Sequence, residues 1–343
     1  MSVLFEKGGI LTTVQGSGRT GWQQFGVTEA GAVDQRSFKL ANLLVDNDEN
    51  EAVLEATLSG PALRFLADNV FAITGADMSP CLNGTPIPTY SATAAKKDDV
   101  LSLGAAKNGF RTYIAFAGGL DVPVVMGSKS TYLPAKFGGY KGRRCEAGDV
   151  LNFLAPRAAL PNMSARKIQK ESFGQGDVTL RVVTGPQQSS FTDKGYETFF
   201  TTPYKVTNEC DRMGVRLEGS IIEHVKDGNI ISDGIVFGAI QVPSNGQPII
   251  MLADRQTTGG YTKIAAVISV DIPLIAQSRP GDVVHFQEIS VYEAQELYME
   301  ERRIRDEYRK FFTIKNPETN TKVFNYAVKI DGQTFMVQVE QLD

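Results

Sequence analysis

Cysteine and histidine are scarce in this sequence, and their scarcity excludes several kinds of site. The 343 residues include three cysteines (Cys81, Cys145 and Cys210) and two histidines (His224 and His285). The cysteines lie far apart without a C-x-x-C pair, so a four-ligand zinc site would need ligands from scattered positions. We therefore expect no metal in this chain and free thiols in a reducing cytosol. No Ser/His or Cys/His arrangement favours a covalent acyl-enzyme mechanism.

Long apolar runs and an excess of either charge are also missing. No run approaches the roughly 20 residues that span a bilayer, and the N-terminus lacks the basic and apolar regions of a signal peptide. The 35 basic and 39 acidic residues are mixed along the chain and give a formal net charge of -4. Neither nucleic acid nor a membrane surface is therefore an expected partner. The sequence predicts a cytoplasmic protein.

Helical patterns are rare before residue 290, whereas short apolar runs bounded by glycine and proline recur throughout. Such runs are typical of strands in β-sandwiches and barrels, so the predicted fold class is mainly β. Examples are residues 70–75, 111–119, 178–186 and 246–254. One helix is predicted after Asp34, which can cap it, with Phe38, Ala41 and Leu44 on one face. A second, short helix is predicted within residues 189–200.

Parts of the chain echo one another, which predicts a duplicated fold. The echoing pairs are CEAGDVLNFL (145–154) with SRPGDVVHFQ (278–287) and, more faintly, VLEATLSGPALRF (53–65) with VRLEGSIIEH (215–224). A single hydrophobic core stops growing at roughly 250–300 residues, so two domains are expected. We predict similar β-barrel-like domains at residues 1–165 and 175–290, joined by a polar linker that contains proline.

Residues 291–343 differ in kind from the rest of the chain. Ser290 and Glu293 form a capping box in front of a highly charged helix. The apolar stripe of that helix comprises Leu297, Ile304, Tyr308 and Phe311. Two alternating strands follow and are joined at Asp331-Gly332, a dipeptide typical of hairpins. The helix and hairpin either pack on the second domain or dock another subunit.

Polar side chains are densest between residues 232 and 265, at the ends of apolar strands. Such groups are costly to bury without partners, so they either bond to one another and hold a barrel closed or face a ligand. The stretch DRQTTGGY (254–261) suits an amide or carboxylate ligand because it offers a carboxylate, a guanidinium, an amide and hydroxyls. The candidate residues are Asp233, Gln241, Asp254, Arg255, Gln256, Thr257, Thr258, Tyr261 and Lys263. Arg212 is a further candidate, although it can equally pair with its neighbours Glu209 and Asp211.

A glycine pattern of the form G-x-G-x-x-G occurs at Gly16, Gly18 and Gly21, directly after a predicted strand. A dinucleotide-binding turn requires a helix immediately after these glycines, because the helix N-terminus holds the pyrophosphate. Gly26 and Gly31 interrupt any such helix. The pattern therefore does not predict a nucleotide site of the Rossmann type.

Three stretches together resemble the biotin-dependent carboxyltransferase family, in its allophanate-hydrolase subunit 2 form. They are residues 12–34, 211–219 and 232–265, and LADRQTTGGY (252–261) is the most specific. The resemblance covers residues 3–288 and implies two tandem cyclophilin-like β-barrels. In the family the first stretch normally runs Val-Gln-Asp-x-Gly-Arg. Here Gly16 stands in place of the aspartate, while Gln15, Arg19 and Asp34 remain.

The resemblance implies one expected function and two alternatives. Stand-alone bacterial members are the C subunit of ATP-dependent 5-oxoprolinase, which opens the lactam of 5-oxoproline to glutamate together with partner B and A subunits. Fused relatives form the carboxyltransferase part of urea carboxylase, which uses carboxybiotin. Another relative antagonises an inhibitor of a sporulation histidine kinase, and that inhibitor is similar to the B subunit. The sequence contains neither G-x-x-x-x-G-K-[ST] nor Met-Lys-Met. ATP would therefore need either an unfamiliar pocket or one shared with the partner, and biotin would need a separate carrier.

The resemblance also implies roles for the candidate residues, because both enzymatic functions modify an amide-like group. Such a site must orient the amide and stabilise charge on its oxygen. Arg255 and the backbone N–H groups of Gly259 and Gly260 are expected to stabilise that charge. Asp254 is expected to accept an amide N–H or carry a proton. Gln241 and Thr257 would orient the substrate, and Lys263 would bind a phosphate or carboxylate.

Overall fold

The protein is mainly β, as the sequence predicts. The computed structural model describes residues 1–173, 176–313, 323–330 and 333–340. The strands of the first half are β1 (Ser2–Lys7), β2 (Leu11–Gln15), β3 (Val53–Thr57), β4 (Ala62–Phe65), β5 (Asn69–Asp77), β6 (Cys81–Leu82), β7 (Thr85–Pro86), β8 (Ala92–Ala95), β9 (Val100–Ser102), β10 (Asn108–Phe116) and β11 (Val150–Asn152). The cyclophilin-like character of the barrels and the domain limits 1–165, 175–290 and 291–343 stay predictions.

The second half continues with strands and few helices. Its strands are β12 (Asp177–Thr184), β13 (Tyr204–Cys210), β14 (Gly214–Gly219), β15 (Asn229–Gly234), β16 (Ala239–Val242), β17 (Ile249–Met251), β18 (Thr258–Val267) and β19 (Val283–Glu288), followed by β20 (Val323–Ile330) and β21 (Gln333–Glu340). The α-helices are α1 (Gln35–Leu44), α2 (Asp193–Thr201), α3 (Ile272–Ala276) and α4 (Val291–Thr313), with 3-10 helices at Gln23–Phe25, Met163–Ala165 and Gln188–Ser190. No helix among the described residues has both the length and the apolar character needed to cross a bilayer.

The strands of residues 2–152 form two sheets that face one another. Their orders are β11-β1-β4-β9-β6-β7 and β2-β3-β10-β5-β8. Inward-facing apolar side chains of both sheets build one core. At its centre, the ring of Phe65 lies 5.4 Å from that of Phe71 and 6.0 Å from that of Phe116. Buried and less buried residues alternate along β4 and β11 of the first sheet, whereas β3, β5 and β10 of the second sheet are buried along almost their whole length.

The strands of residues 177–288 form a third sheet that closes into a barrel. Its order is β12-β19-β13-β14-β17-β16-β18-β15, and β18 also pairs with β12, where Val267 lies opposite Val182. This second pairing joins seven strands in a ring and leaves β15 attached outside it. The ring encloses a separate apolar core that includes Leu180, Ile250 and Ile264.

The helices that the sequence predicts before residue 290 are confirmed. Asp34 caps α1 by accepting a hydrogen bond from the backbone N–H of Ser37 at 2.9 Å. The predicted apolar face of α1, formed by Phe38, Ala41 and Leu44, is buried. It packs on the outer face of the second sheet. The short helix predicted within residues 189–200 is α2, which Thr192 caps.

The start of α4 is as predicted, but its packing is not. The capping box forms, since Ser290 N donates to Glu293 Oε2 at 2.8 Å and Glu293 N donates to Ser290 Oγ at 3.2 Å. Tyr308 and Phe312 are buried against α1 and the second sheet. The prediction that this helix packs on the second domain is therefore wrong, because its aromatic end packs on the apolar surface of the first half. The predicted turn at 331–332 lies outside the described residues, although β20 and β21 pair.

Candidate functional site

The candidate residues from the sequence fall into separate groups in the structure. Two of them, Arg212 and Asp254, lie in a buried network between the two halves of the chain. Arg255 and Thr257 line a cavity, and Lys263 pairs with Asp233. Of the remainder, Gln241 is buried, Gly259 and Gly260 are half-buried, and Gln256, Thr258 and Tyr261 are exposed. Arg255 and Thr257 are therefore the candidate residues that line this cavity.

Arg212 is the centre of the buried network. Its guanidinium donates to both oxygens of Asp254, with Nε–Oδ2 at 3.0 Å and Nη2–Oδ1 at 2.9 Å. It also donates to Glu55 of β3 and to the carbonyl of Gly31 at 2.6 Å. Burial alone would lower the pKa of Arg212, but the two carboxylates raise it above its ordinary value. Burial raises the pKa of Asp254, and Arg212 opposes that rise.

The local pairing of Arg212 with its sequence neighbours does not occur. Glu209 pairs with Arg216 at 2.9 Å, and the carboxylate of Asp211 accepts from the backbone N–H of Met213 at 2.7 Å. Arg212 instead reaches two acids that are distant in sequence. A buried cation needs such partners, since exposed acids beside it cannot compensate for its lost hydration.

A cavity of about 620 Å³ opens where the loop after β2 meets the segment after β15. It is lined by Ser17, Thr20, Gln23, Glu29, Ala30, Gln35, Gly234, Ile235, Val236, Phe237, Arg255 and Thr257. Apolar side chains combined with convergent polar groups are typical of a small-molecule site. The volume lies within the range of ligand pockets, so this cavity is the candidate site.

The charged groups of the cavity are Arg255 and Glu29, which come from opposite halves of the chain. Arg255 donates from Nη2 to Glu29 and from Nε to the carbonyl of Ile235 at 3.0 Å. Its guanidinium lies 5.5 Å from the ring centre of Phe237. The other oxygen of Glu29 accepts from Gln23 Nε2 at 2.6 Å. Both charges are therefore held in place before any ligand arrives.

The chain around Glu29 is a loop closed by backbone hydrogen bonds. Arg19 N donates to Glu29 O at 2.7 Å, and Ala32 N donates to Gly16 O at 2.9 Å. Between these bonds the chain forms only the 3-10 helix Gln23–Phe25, and α1 begins later. Within residues 16–34, the glycines are followed by this short 3-10 helix and by no α-helix, which agrees with the expectation that the pattern is not a Rossmann turn. The loop instead presents Glu29 to the cavity.

Lys263 and Asp233 form an ion pair that does not line the cavity. Lys263 Nζ lies 2.9 Å from Asp233 Oδ2, and the backbone N–H of Lys263 donates to Gln187 Oε1 at 3.1 Å. The hydrogen bond from Lys263 lowers the pKa of Asp233. Through this ion pair, Lys263 links β18 to the neighbouring strand β15. Its predicted role in binding a phosphate or carboxylate stays a prediction.

Gln241 and Gly259 pack directly against each other. Gln241 is buried on β16, and its Nε2 has no hydrogen-bond partner among the described residues. A Cβ on Gly259 would lie 2.9 Å from that nitrogen and 2.6 Å from the Ile235 side chain. Gly259 is therefore required by close packing. No group of three or more His, Cys, Asp or Glu side chains in the described part of the chain is placed to hold a metal ion.

The sequence did not identify Glu29, Gln23 or Thr20 as site residues. All three lie in the stretch 12–34, which carries part of the family resemblance. No local pattern pairs this stretch with Arg255, because Glu29 and Arg255 are 226 residues apart. The sequence feature that could have indicated these residues is the polar composition of a glycine-rich loop, and that composition does not distinguish Glu29 from the other polar residues.

Comparison with known proteins identifies a family model and two similar bacterial proteins. Residues 25–288 match the family model described as "Carboxyltransferase domain, subdomain A and B". The chain is 37% identical over 297 residues to the C subunit of 5-oxoprolinase from Escherichia coli (strain K12), covering 87% of this chain and 94% of that protein. It is 34% identical over 304 residues to the C subunit of 5-oxoprolinase from Haemophilus influenzae, covering 89% of this chain and 96% of that protein.

A solved structure is similar along nearly the whole chain. The crystal structure of the Kluyveromyces lactis urea carboxylase superposes with a TM-score of 0.83 at 28% sequence identity, over 99% of this chain. The matched part is 32% of that protein. This chain therefore spans about a third of the length of that larger relative.

Proposed function

Because the chain belongs to the carboxyltransferase family with subdomains A and B, we propose that it is the C subunit of an ATP-dependent 5-oxoprolinase. In this proposal it acts with partner B and A subunits to open the lactam of 5-oxoproline to glutamate. The observation that carries the proposal is the 37% identity to the C subunit of the E. coli 5-oxoprolinase, along 94% of that protein. The cavity between the two halves is the proposed place of substrate binding.

The Arg255–Glu29 pair suits a lactam chemically. The carboxylate of Glu29 can accept the lactam N–H, and the guanidinium can stabilise negative charge that develops on the lactam oxygen. Among the described residues, Arg255 Nη1 donates one long hydrogen bond, to Leu252 O at 3.4 Å, so this nitrogen is the donor most readily turned to a ligand. Because the pair is already fixed, little reorganisation accompanies the reaction. Thr257 supplies a hydroxyl on the same wall.

In this proposal Asp254 is a positioning residue. It is held by Arg212 through two hydrogen bonds and does not line the cavity. Its backbone N–H donates to the carbonyl of Arg212 at 2.8 Å. These contacts fix the backbone directly before Arg255. Asp254 therefore orients Arg255, and the catalytic role expected from the sequence passes to Arg255 and Glu29.

We assign nucleotide binding to a partner protein of the complex. A triphosphate needs several backbone N–H groups or cations, and Arg255 in this cavity is already bonded to Glu29. The sequence also contains no P-loop. The residues of this cavity do not fit ATP, so no step of the proposal at this site involves ATP directly.

The test is reconstitution with homologues of the B and A subunits, followed by measurement of 5-oxoproline-dependent ATP hydrolysis. We expect Arg255→Met to lower kcat by about 10²-fold, because it removes the charge facing the lactam oxygen. The matched control is Arg143→Met. It removes a guanidinium that lies away from the cavity and pairs with Asp149 at 2.6 Å. Wild-type activity in Arg255→Met would refute the site, and absence of lactam-dependent turnover in the wild-type complex would refute the function.

The alternative enzymatic function is the carboxyltransferase component of a urea-type carboxylase. The similarity to the K. lactis urea carboxylase over 99% of this chain favours it. In this alternative, carboxybiotin on a separate carrier would donate its carboxyl group to a urea nitrogen. Turnover with urea and a carboxylated biotinyl carrier, without lactam-dependent turnover, would support it. Stable binding to a homologue of the B subunit without either activity would instead support the regulatory alternative, antagonism of a kinase inhibitor of that type.

A further inference from the structure

Arg19 is a buried cation without a counter-ion among the residues that the structure describes. Its side chain has 0% exposed surface, and its guanidinium lies 4.6 Å from the ring centre of Phe137. Nη2 donates to the carbonyl of Ser130, while Nε and Nη1 have no hydrogen-bond partner among the described residues. Burial lowers the pKa of Arg19, and Asp254 opposes this. Asp254 is already bonded to Arg212, so it does not satisfy these donors.

An unpaired buried cation is costly, and guanidinium is suited to oxyanions. Removing a charge from water costs several kcal/mol when no opposite charge compensates it. The planar guanidinium matches the geometry of a carboxylate, and a charge-assisted hydrogen bond is about twice as strong as a neutral one. Three of the five N–H groups of Arg19, on Nε and Nη1, are free for such an acceptor. A small anion would therefore satisfy both the charge and the donors.

Gly16 and Arg19 are linked through Ser130. Its backbone N–H donates to Ser130 Oγ at 3.0 Å, so Gly16 and Arg19 contact the same residue. A Cβ on Gly16 would lie 3.5 Å from both Asn50 O and Ser130 Oγ, which is ordinary van der Waals contact. The opposite side is closed, because a Cβ on Gly138 would overlap Arg19 Nη2. Gly16 therefore tolerates an added side-chain carbon, which would contact both oxygens.

A second buried polar atom is unpartnered nearby. Gln15 Oε1 has no hydrogen-bond partner among the described residues, although Gln15 Nε2 donates to Thr131 O at 3.2 Å. Gln15 and Arg19 therefore contact the neighbouring residues Thr131 and Ser130. Donors without an acceptor suit an oxyanion, and an oxyanion that also carries a hydroxyl can in addition donate to Gln15 Oε1.

We propose that Arg19, together with Gly16 and Ser130, forms a site for a carboxylate-sized oxyanion, such as hydrogencarbonate or a free carboxylate. The site lies beside the cavity wall, because Ser17 and Thr20 line the cavity and Arg19 N bonds to Glu29 O. The inference does not depend on the lactam substrate. It rests on the unpartnered donors of the buried Arg19 guanidinium and on the unpartnered Gln15 Oε1 among the described residues.

The test is thermal unfolding of the full chain against increasing hydrogencarbonate, acetate or phosphate, with chloride holding ionic strength constant. A ligand that binds only the folded state raises Tm with a saturable dependence on concentration. We expect this for hydrogencarbonate and acetate. A response to phosphate alone, or no saturable response to any of the three anions, overturns the proposal.

Two variants and a control separate a site from a general salt effect. Gly16→Asp places a carboxylate beside Arg19 within the chain, so it should raise Tm without added anion and abolish the response. Arg19→Met should also abolish the response. The control is Arg166→Met, a buried arginine that donates to Pro161 O at 2.8 Å and Leu44 O at 3.2 Å, and it should keep the wild-type response. A lower Tm in Gly16→Asp together with an undiminished anion response would contradict the site.

Discussion

Arg212 and Arg19 are both buried arginines, but their surroundings give them different energetic roles. Arg212 bonds to two carboxylates and a carbonyl that belong to both halves of the chain. Arg19 bonds to one carbonyl. A buried ion pair is not necessarily more stabilising than apolar residues, yet removing one partner leaves the other charge unpaired. Arg212 therefore contributes to the contact between the halves chiefly by neutralising Glu55 and Asp254.

We expect Arg212→Met to lower the free energy of unfolding by about 3–5 kcal/mol, because it leaves two buried carboxylates without their cation. Urea denaturation with linear extrapolation measures this change. The control is Arg216→Met, which removes an exposed pair with Glu209 and should cost about 1 kcal/mol or less. Equal losses in the two variants would show that the buried network does not stabilise the fold.

At the scale of single elements, α1 and α4 show what a local pattern determines. Asp34 predicts the start of α1, and Ser290 with Glu293 predicts the start of α4, because capping involves residues within one turn. The sequence also predicts which side chains of each helix are apolar. It does not predict that Tyr308 packs near α1, since an apolar stripe fits any complementary surface. Capping is a local interaction, whereas docking depends on residues far away in sequence.

We expect Phe312→Ala to lower the free energy of unfolding by about 3–5 kcal/mol and to detach the end of α4 from α1, because it removes a ring that is 1% exposed. Hydrogen exchange of residues 304–313, read beside urea denaturation, measures the detachment. The control on the same helix is Met299→Ala, whose side chain is 60% exposed and should change stability by about 0.5 kcal/mol at most. Unchanged protection in Phe312→Ala would mean that α4 docks by other contacts.

At the scale of the whole molecule, contacts between distant segments assemble the site. Glu29 meets Arg255 across 226 residues, and Gln277 donates to Asp34 at 2.8 Å across 243. The sequence predicts the mainly β class and the polar stretch that contains Arg255, because strand patterns and composition are local. It does not predict Glu29, since no periodicity or spacing links a loop of the first half to a turn of the second. Long-range pairing is the part of the site that required the structure.

Arg36 is a further point where distant segments meet. It bonds to Glu301 of α4 at 2.8 Å, to Glu171 at 3.4 Å and to the carbonyl of Val270. One side chain of α1 therefore contacts α4, the second half and the segment before β12. Burial raises the pKa of Glu171 to about 7, with Arg36 opposing and the charge of Asp34 adding to the rise. Because of this shift, the free energy of unfolding of the protein depends on pH.

The folded protein holds a proton on Glu171 between its ordinary pKa of 4.5 and about 7, where the unfolded chain has released it. Stability should therefore fall as pH rises through this window and remain lower above it. We expect Glu171→Gln to match the wild type at pH 4.5 and to be more stable at pH 8 by roughly 1–3 kcal/mol. Urea denaturation at both pH values measures this, with Glu218→Gln, an exposed acid on β14, as the control. A wild-type pH slope in Glu171→Gln would assign the dependence to other groups.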